Sequence, residues 1–448
     1  MSRRSPCGAV RQVVLGIVAA LLAVSLPTGT VEAQPAGEKA PDPEDILKNF
    51  VVQATATRQL PKIAVQPSLA SNIEDVTIRA VVRRDLDLCG EFEVIPDSQA
   101  PDGLYLSDTP VDVKAWAAKG ANAIVKVSGK ELDSGRVELK GEAYFTDTGD
   151  QPVFDKRFLV SANRVRAESH RIADALIGAL TGTNGGFASQ MTFVYGTGKT
   201  RRVYVMDADG HDPKPMSPDH HLVLAPAFGP DHQLYYAASV KYAPYQIFTP
   251  DDAEPIEVKP KGSVYGLAFS PKGDQVALSI ADGPDIHLFA GPSFTQLQKA
   301  STAGMALRPA YTPSGKLAFA GAGKWGQRIY VDGRPISPAG LNASAPTFCR
   351  HPDGVRAVYA VGLGKNTDLV ASSEQGGMPV RLTQNRGRNN YPACSPDGRL
   401  VAFFSTRTSG EGPGLYIMRI DGLRPKRVST LVGDSLRWTR LPDPPKSD

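Results

Sequence analysis

Short apolar runs separated by polar turns dominate the C-terminal part of the chain. The clearest case is Tyr391–Ser405, YPACSPDGRLVAFFS. Tyr391–Cys394 reads as a strand, Ser395-Pro396-Asp397-Gly398 as a turn, and Leu400–Phe404 as an apolar return strand. Proline presets φ for a tight turn, Asp bonds its own following backbone, and Gly accepts positive φ. One hairpin alone is marginally stable, but this one recurs at Leu224–Ala238, Tyr265–Ser279, Arg308–Ala320 and Ala345–Ala360. The turn prolines, Pro230, Pro271, Pro313, Pro352 and Pro396, are spaced 41, 42, 39 and 44 residues apart. A hairpin in every period of about forty residues predicts β-propeller blades.

A third strand follows the hairpin in each copy, at Gln246–Phe248, Ile286–Phe289, Arg328–Val331, Asp368–Val370 and Leu415–Ile420. A fourth short run precedes the next copy, as at Pro335–Ile336 and Val380–Leu382. Arg350 and His351 are extra residues before the fourth turn and predict a longer loop. A sixth blade assembles from the two ends of the repeat region. Met191–Tyr195 and Arg202–Met206 supply its outer strands, and residues 435–439 supply the inner strand they lack. Such a closure removes free sheet edges. It predicts six blades over residues 190–441, with strand 435–439 joining the blade begun at 191.

Upstream, the periodicity changes. Residues 58–183 read as an α/β domain of ordinary size. Strands are predicted at Lys62–Val65, Phe92–Ile95, Ala123–Val127, Val137–Thr146 and Val153–Val160. Helices are predicted at Glu74–Leu88, around Trp116, and at Arg164–Leu180, the last with Val165, Ile172, Leu176 and Leu180 on one face. The apolar stripe of the first helix is read as Val76, Val81, Val82 and Leu86. The fold class is therefore an α/β N-terminal domain plus an all-β six-bladed β-propeller.

Residues 1–33 read as a signal peptide. Arg3, Arg4 and Arg11 precede the apolar run Val13–Leu26, and cleavage is expected between Ala33 and Gln34. Fourteen apolar residues are too few to span a bilayer. Ser2-Arg3-Arg4 raises twin-arginine export as an alternative to the general secretory route. Residues 34–57 begin Pro-rich and acidic and read as a mobile tail.

The formal charge is +4 over the whole chain. Without residues 1–33, which hold three Arg and one Glu, it is +2, giving no electrostatic case for nucleic acid or membrane insertion. Cys89, Cys349 and Cys394 would remain, an odd and sparse set unlike a disulfide scaffold. Cys349 and Cys394 fall on neighbouring inner strands but are offset within the repeat. Buried free thiols are the simpler reading, and a bridge is the alternative.

Loops entering the inner strands of a propeller converge on one channel mouth, where binding residues collect. Here they supply His220, His221, Lys261, Gly262, Ser263, Gly304, Met305, Ala306, Asn342, Ser344, Arg386, Arg388, Asn389, Asn390 and Asp434. The two His lack a third metal ligand and read as loop residues. Arg386 and Arg388 could pair with acidic groups or simply be solvated. Gly196-Thr197-Gly198-Lys199-Thr200 mimics part of a phosphate-binding loop, but Phe193 stands where the first Gly belongs, so a hairpin turn is expected. His170 and Asp174, four apart on a helix, suggest an interdomain or surface hydrogen bond. No catalytic residue, metal or cofactor is predicted.

The helix end His170…Asp174…Leu180-Thr181-Gly182, leading straight to Met191, resembles the junction signature of the TolB family, and the blades resemble its x-P-x-F-S-P-D-G pattern. The resemblance covers about residues 58–441. It implies a non-catalytic periplasmic adaptor of the Tol–Pal system that binds the lipoprotein Pal at the channel mouth and TolA through the start of the mature chain. It also implies a role in outer-membrane integrity and constriction at division, with other outer-membrane proteins as further partners. The tail departs from the family pattern. Val51, Val52 and Gln53 read as a displaced strand-adding segment for TolA or as the start of an amphipathic helix. The alternative is a propeller enzyme or a small-ligand or metal binder using the channel. That would need inward Asp, Glu, Asn or His, where the inner strands offer Ala, Phe, Tyr and Cys.

Overall fold

The expected change of periodicity near residue 185 is where the architecture changes. A computed structural model of the chain describes residues 42–48, 51–52 and 59–442, apart from 71, 133–134, 302–303 and 385. The signal peptide, its cleavage site at Ala33 and Gln34, and Gln53 lie outside the described residues.

The chain enters through helix α1 (Pro43–Lys48) and strand β1 (Val51–Val52). The α/β domain follows as β2 (Lys62–Val65), α2 (Ile73–Leu88), β3 (Glu93–Val94), α3 (Val113–Ala118), β4 (Ala123–Glu131), β5 (Arg136–Phe145), β6 (Phe154–Ser161) and α4 (Val165–Thr181). Its sheet runs β3-β2-β4-β5-β6, with the first three strands parallel and the last two antiparallel. Gly182, at φ 85°, ends α4 as a left-handed cap. On α2 the buried positions are Ile78, Val81, Val82 and Leu86. Val76, expected on the stripe, is exposed, because the buried face runs through Ile78, about 200° round the helix from it.

Six sheets form the propeller. Blade 1 combines β7 (Ser189–Tyr195), β8 (Arg202–Asp207) and β9 (Lys214–Pro215) with the last strand of the chain. Blade 2 is β10 (Leu222–Phe228), β11 (Leu234–Ser239) and β12 (Gln246–Phe248). Blade 3 is β13 (Ser263–Phe269), β14 (Val276–Asp282), β15 (Asp285–Gly291) and β16 (Gln298–Lys299). Blade 4 is β17 (Leu307–Tyr311), β18 (Leu317–Gly323), β19 (Gly326–Val331) and β20 (Arg334–Pro335). Blade 5 is β21 (Asn342–His351), β22 (Gly354–Leu363), β23 (Asn366–Ser373) and β24 (Gly376–Arg381). Blade 6 is β25 (Asn389–Cys394), β26 (Leu400–Ser405), β27 (Gly414–Arg419) and β28 (Lys426–Ser429). The last strand, β29 (Asp434–Arg440), pairs antiparallel with β7, Trp438 opposite Met191, and so closes the ring as expected.

Three expectations are corrected. The extra residues Arg350 and His351 do not lengthen a loop. They stay in the ladder opposite Val355 and Gly354, so the strands grow and Pro352-Asp353 alone make the turn. Cys349 and Cys394 are joined in a disulfide, with Cα atoms 5.3 Å apart. Their offset fits the stagger between blades 5 and 6. The tail expected to be mobile is docked where it is described. Leu47 of α1 is buried in the core shared by blades 4 and 5, and β1 pairs in parallel with the outer strand β24. Leu47 supplies the apolar anchor that the Pro-rich composition hid.

The α/β domain and the propeller share one apolar core. Leu86, Phe92, Ile172, Leu176 and Phe187 are continuous with Met191, Phe193, Phe404 and Leu436. Ion pairs surround this core. Arg166 reaches Asp207 at 2.7 Å and Asp209 at 2.5 Å, Lys426 reaches Asp87 at 2.5 Å, and Arg419 reaches Glu91 at 3.0 Å. At its centre the fully buried His170 Nδ1 lies 2.7 Å from Asp85 Oδ2, and its Nε2 lies 4.0 Å from Asp207. Asp174 instead caps the linker, accepting the backbone N–H groups of Phe187 and Ala188. The two residues thus pair separately, His170 with Asp85 of α2 inside the α/β domain and Asp174 with the linker into the propeller. Burial disfavours the imidazolium, yet the carboxylates of Asp85, Asp209 and Asp207 outweigh it and push His170 up to about 9. Burial pushes Asp85 up to about 7 against the pull of His170.

Two outcomes follow from this packing. Gly398 has φ 79°, and a Cβ there would sit 1.7 Å from the carbonyl oxygen of Arg350. Gly398→Ala should cost about 2–3 kcal/mol and several degrees in a thermal melt. For the His170–Asp85 pair, a His170 pKa raised above 6.5 in the folded state gives stability that is complete below pH 6.5 and lost as pH rises through about 9. The raised Asp85 has the same sign at lower pH. Melts of the wild type should therefore weaken by a few kcal/mol across that window, and His170→Gln should flatten the slope.

Candidate partner-binding site at the channel mouth

The inner strands β10, β13, β17, β21, β25 and β29 line the channel, and all start at the same end. Each carries one register shift soon after its start, between 224 and 227, 264 and 266, 307 and 310, 344 and 347, 390 and 393, and 434 and 437. Bulges bend a strand and re-aim its side chains. Five of these bulges hold a non-glycine residue at positive φ: Ala225 (51°), Arg308 (53°), Ala345 (50°), Tyr391 (54°) and Ser435 (56°). Gly266 stands at the aligned position of β13, where the backbone is not at positive φ. Proline follows at 226, 309, 346 and 392, tolerated because an inner strand is an edge whose outward N–H would face the channel.

The predicted mouth residues all stand at or just before these strand starts, but their side chains differ in exposure. His220, Lys261, Gly262, Met305, Asn342, Arg386 and Arg388 are exposed. Gly304, Ser344, Asn390 and Asp434 are half-buried. Asn389, Ser263, Ala306, Asp434 and His221 hold the rim together. Asn389 is fully buried, accepting from the Ser405 hydroxyl at 2.8 Å and donating to the Thr367 carbonyl. Ser263 accepts the Tyr245 N–H at 3.0 Å, and Ala306 is fully buried. Asp434 is paired with Arg201 at 2.8 Å. His221 is a buried ring against Phe248, 5.3 Å between centroids, and burial followed by the charge of His220 holds it below the ordinary imidazole range. It is a neutral packing residue. Val51 and Val52 do add a strand, but to this chain's own blade 5.

Sequence reasoning missed the turns between the second and third strands, which return to the same face. Tyr242, 88% exposed and at φ 64°, stands on one of them beside Lys241, and Lys365 stands on another. An open groove of about 710 Å³ runs at the rim of blades 2 and 3, lined by Tyr245, Lys261 and Tyr265. A bulky aromatic in a turn that needs only polar residues was the available signal. The face offers exposed Lys241, Lys261, Lys324, Lys365, Arg386 and Arg388 against exposed Asp219, Glu257, Asp282, Asp285 and Glu411.

Metal-ligand spacing occurs elsewhere. Among the described residues, Asp85, His170 and Asp209 approach one another closely enough to hold an ion. Their charges are already matched by the Arg166 guanidinium and the imidazolium. Gly196–Thr200 forms a turn with a short 3₁₀ segment between β7 and β8, as expected for a hairpin. No helix among the described residues is long and apolar enough to cross a membrane.

Comparison with known proteins agrees with this architecture. The model of the TolB amino-terminal domain matches residues 50–150. A Tol-Pal system protein TolB from Dinoroseobacter shibae is 30% identical over 221 residues, covering 48% of this chain and 48% of that protein. The match thus spans about half the length of that relative. The crystal structure of TolB from Acinetobacter baumannii has a TM-score of 0.68 at 21% identity, covering 85% of this chain and 96% of that one, a likeness of fold. With a TolB amino-terminal domain followed by a six-bladed propeller, this chain resembles the TolB proteins of the Tol-Pal system.

Proposed function

We propose that this chain is a non-catalytic periplasmic component of the Tol–Pal system whose channel mouth docks Pal. The observation that carries the reading is the mouth itself: a rigid rim with an exposed aromatic, a flanking groove and an excess of exposed cations. Aromatic and Arg side chains on a fixed scaffold suit a protein partner, and cations steer an acidic one. The inner wall presents bulges and prolines rather than an array of acids and bases, which favours docking over chemistry. Support for outer-membrane integrity and constriction at division follows from membership of that system.

For TolA, the segment around Val51 and Val52 is the proposed contact. In this structure its backbone is engaged with Val380 and Arg381 of β24. A partner that binds it by strand addition has to compete with that edge.

Calorimetric titration with the soluble domain of Pal tests the mouth. The wild type should bind, and Lys261→Glu combined with Arg388→Glu should weaken binding about tenfold or more, or roughly 1.4 kcal/mol. Lys156→Glu, on exposed β6 of the α/β domain, should leave it unchanged. Absence of binding by the wild type, or equal loss in both variants, would sink the reading.

A further inference from the structure

We propose that the waist of the channel is a carboxylate-binding site formed by Arg308 and Arg437. These residues stand on the inner strands of blades 4 and 1, on opposite walls of a six-membered ring. Each side chain crosses the lumen. Arg308 Nη1 donates to the Ser435 hydroxyl at 2.7 Å, and Arg437 Nη2 donates to the Pro309 carbonyl at 3.3 Å. The Arg308 guanidinium also lies over the Tyr391 ring of blade 6, 4.9 Å from its centroid. The bulges make this crossing possible, since Arg308 and Ser435 both occupy bulge positions at positive φ.

The charges here do not balance. Among the described residues both guanidiniums bond only to neutral oxygens: Ser435 Oγ for Arg308, and the carbonyls of Pro309 and Leu436, at 3.3 and 3.4 Å, for Arg437. Among the described residues no carboxylate forms an ion pair with either. The acid nearest in sequence, Asp434, is already held by Arg201 at 2.8 Å and by the Ser435 hydroxyl. A cavity of about 320 Å³ opens from the hairpin-turn end of the channel and reaches Arg437. Its only charged lining residues are Arg350 and Arg437, with no acid among them. Burial, reinforced by the facing Arg308, pushes the Arg437 guanidinium down to about 10. Charge taken from water is costly unless paired, so two facing cations with spare donors suit an anionic guest.

The chemistry of the pair selects the anion. Each guanidinium carries five N–H donors in a planar fork, which suits the two oxygens of a carboxylate. Arg308 makes one hydrogen bond and Arg437 two long ones, so both keep donors for a guest. The carboxylate could come from a small free acid entering the cavity or from an acidic side chain of a polypeptide reaching in through the mouth. The two sources share this chemistry and are separable by experiment.

The test uses the purified chain without any partner, so its failure is independent of Pal binding. Thermal melts and calorimetry would be run with sodium acetate against sodium chloride at equal ionic strength. Acetate should raise the melting temperature saturably. Arg437→Gln and Arg308→Gln should each weaken the acetate response at least tenfold, while Lys156→Gln, on the exposed β6 of the α/β domain, should leave it intact. Arg437→Lys, which keeps the charge but loses the fork, should also weaken it and stands in should the Gln variants fail to fold. N-acetylglutamate amide binding more tightly than acetate would assign the site to a polypeptide side chain, and the reverse order would assign it to a free acid. Equal melting in acetate and chloride, a response surviving in both Gln variants, or saturable binding of phosphate without acetate would overturn the proposal.

Discussion

The structure depends on one antiparallel pairing, that of β29 with β7. A ring of sheets has no covalent closure, and each blade contributes only its faces to its neighbours. Without the last strand, blade 1 would present an unpaired inner edge to the channel and blade 6 would lose the neighbour against which Phe404 packs. Phe193 and Phe404 meet at 5.6 Å across that boundary, and Phe193 stacks on Tyr204 at 5.8 Å. The core beneath the α/β domain is continuous with these rings. Closure of the ring, burial of the domain interface and placement of the channel walls are therefore one cooperative event.

The channel shows how local strain is put to use. Left-handed conformations at non-glycine residues cost of the order of 1 kcal/mol each, yet five inner strands hold one at the equivalent place. The neighbouring blades over-determine these positions. In return the strands bend at a common level, and their side chains turn into the lumen, Arg308 and Tyr391 among them.

What was legible in the sequence was local. The turn chemistry of Pro396-Asp397-Gly398 and its relatives located the turn between the first two strands of five blades, because a tight turn depends on a few adjacent residues. Even there the code bends. His232 takes the place of Gly273, Gly315 and Gly398 and adopts φ 63°. The period then implied the blades, and the two unmatched end strands implied the closure. What was not legible depended on residues far apart in the chain. The bond between His170 and Asp85 spans 85 positions, and the disulfide depends on the stagger of two sheets. At the mouth, spacing placed the loops but could not separate exposed Lys261 and Arg388 from Asn389, whose amide is consumed by the scaffold. The proline-rich entry segment misled because composition averages over a helix whose single leucine decides its fate.

The clasp at the end of the ring has a mechanical consequence. Ser189 and Arg440 are opposite each other at one end of the β29–β7 pair, so tension arriving through α4 on one side and the outgoing chain on the other would peel the pair bond by bond rather than shear it all at once. The chain reinforces that very end. The Trp438 indole donates to the Ser189 hydroxyl at 2.7 Å, the Leu441 N–H to the Ala188 carbonyl at 2.9 Å, and Arg171 of α4 to the carbonyl of Pro442. A protein pulled by its two arms would feel the load first at these three knots, and the circle would stay shut for as long as they hold.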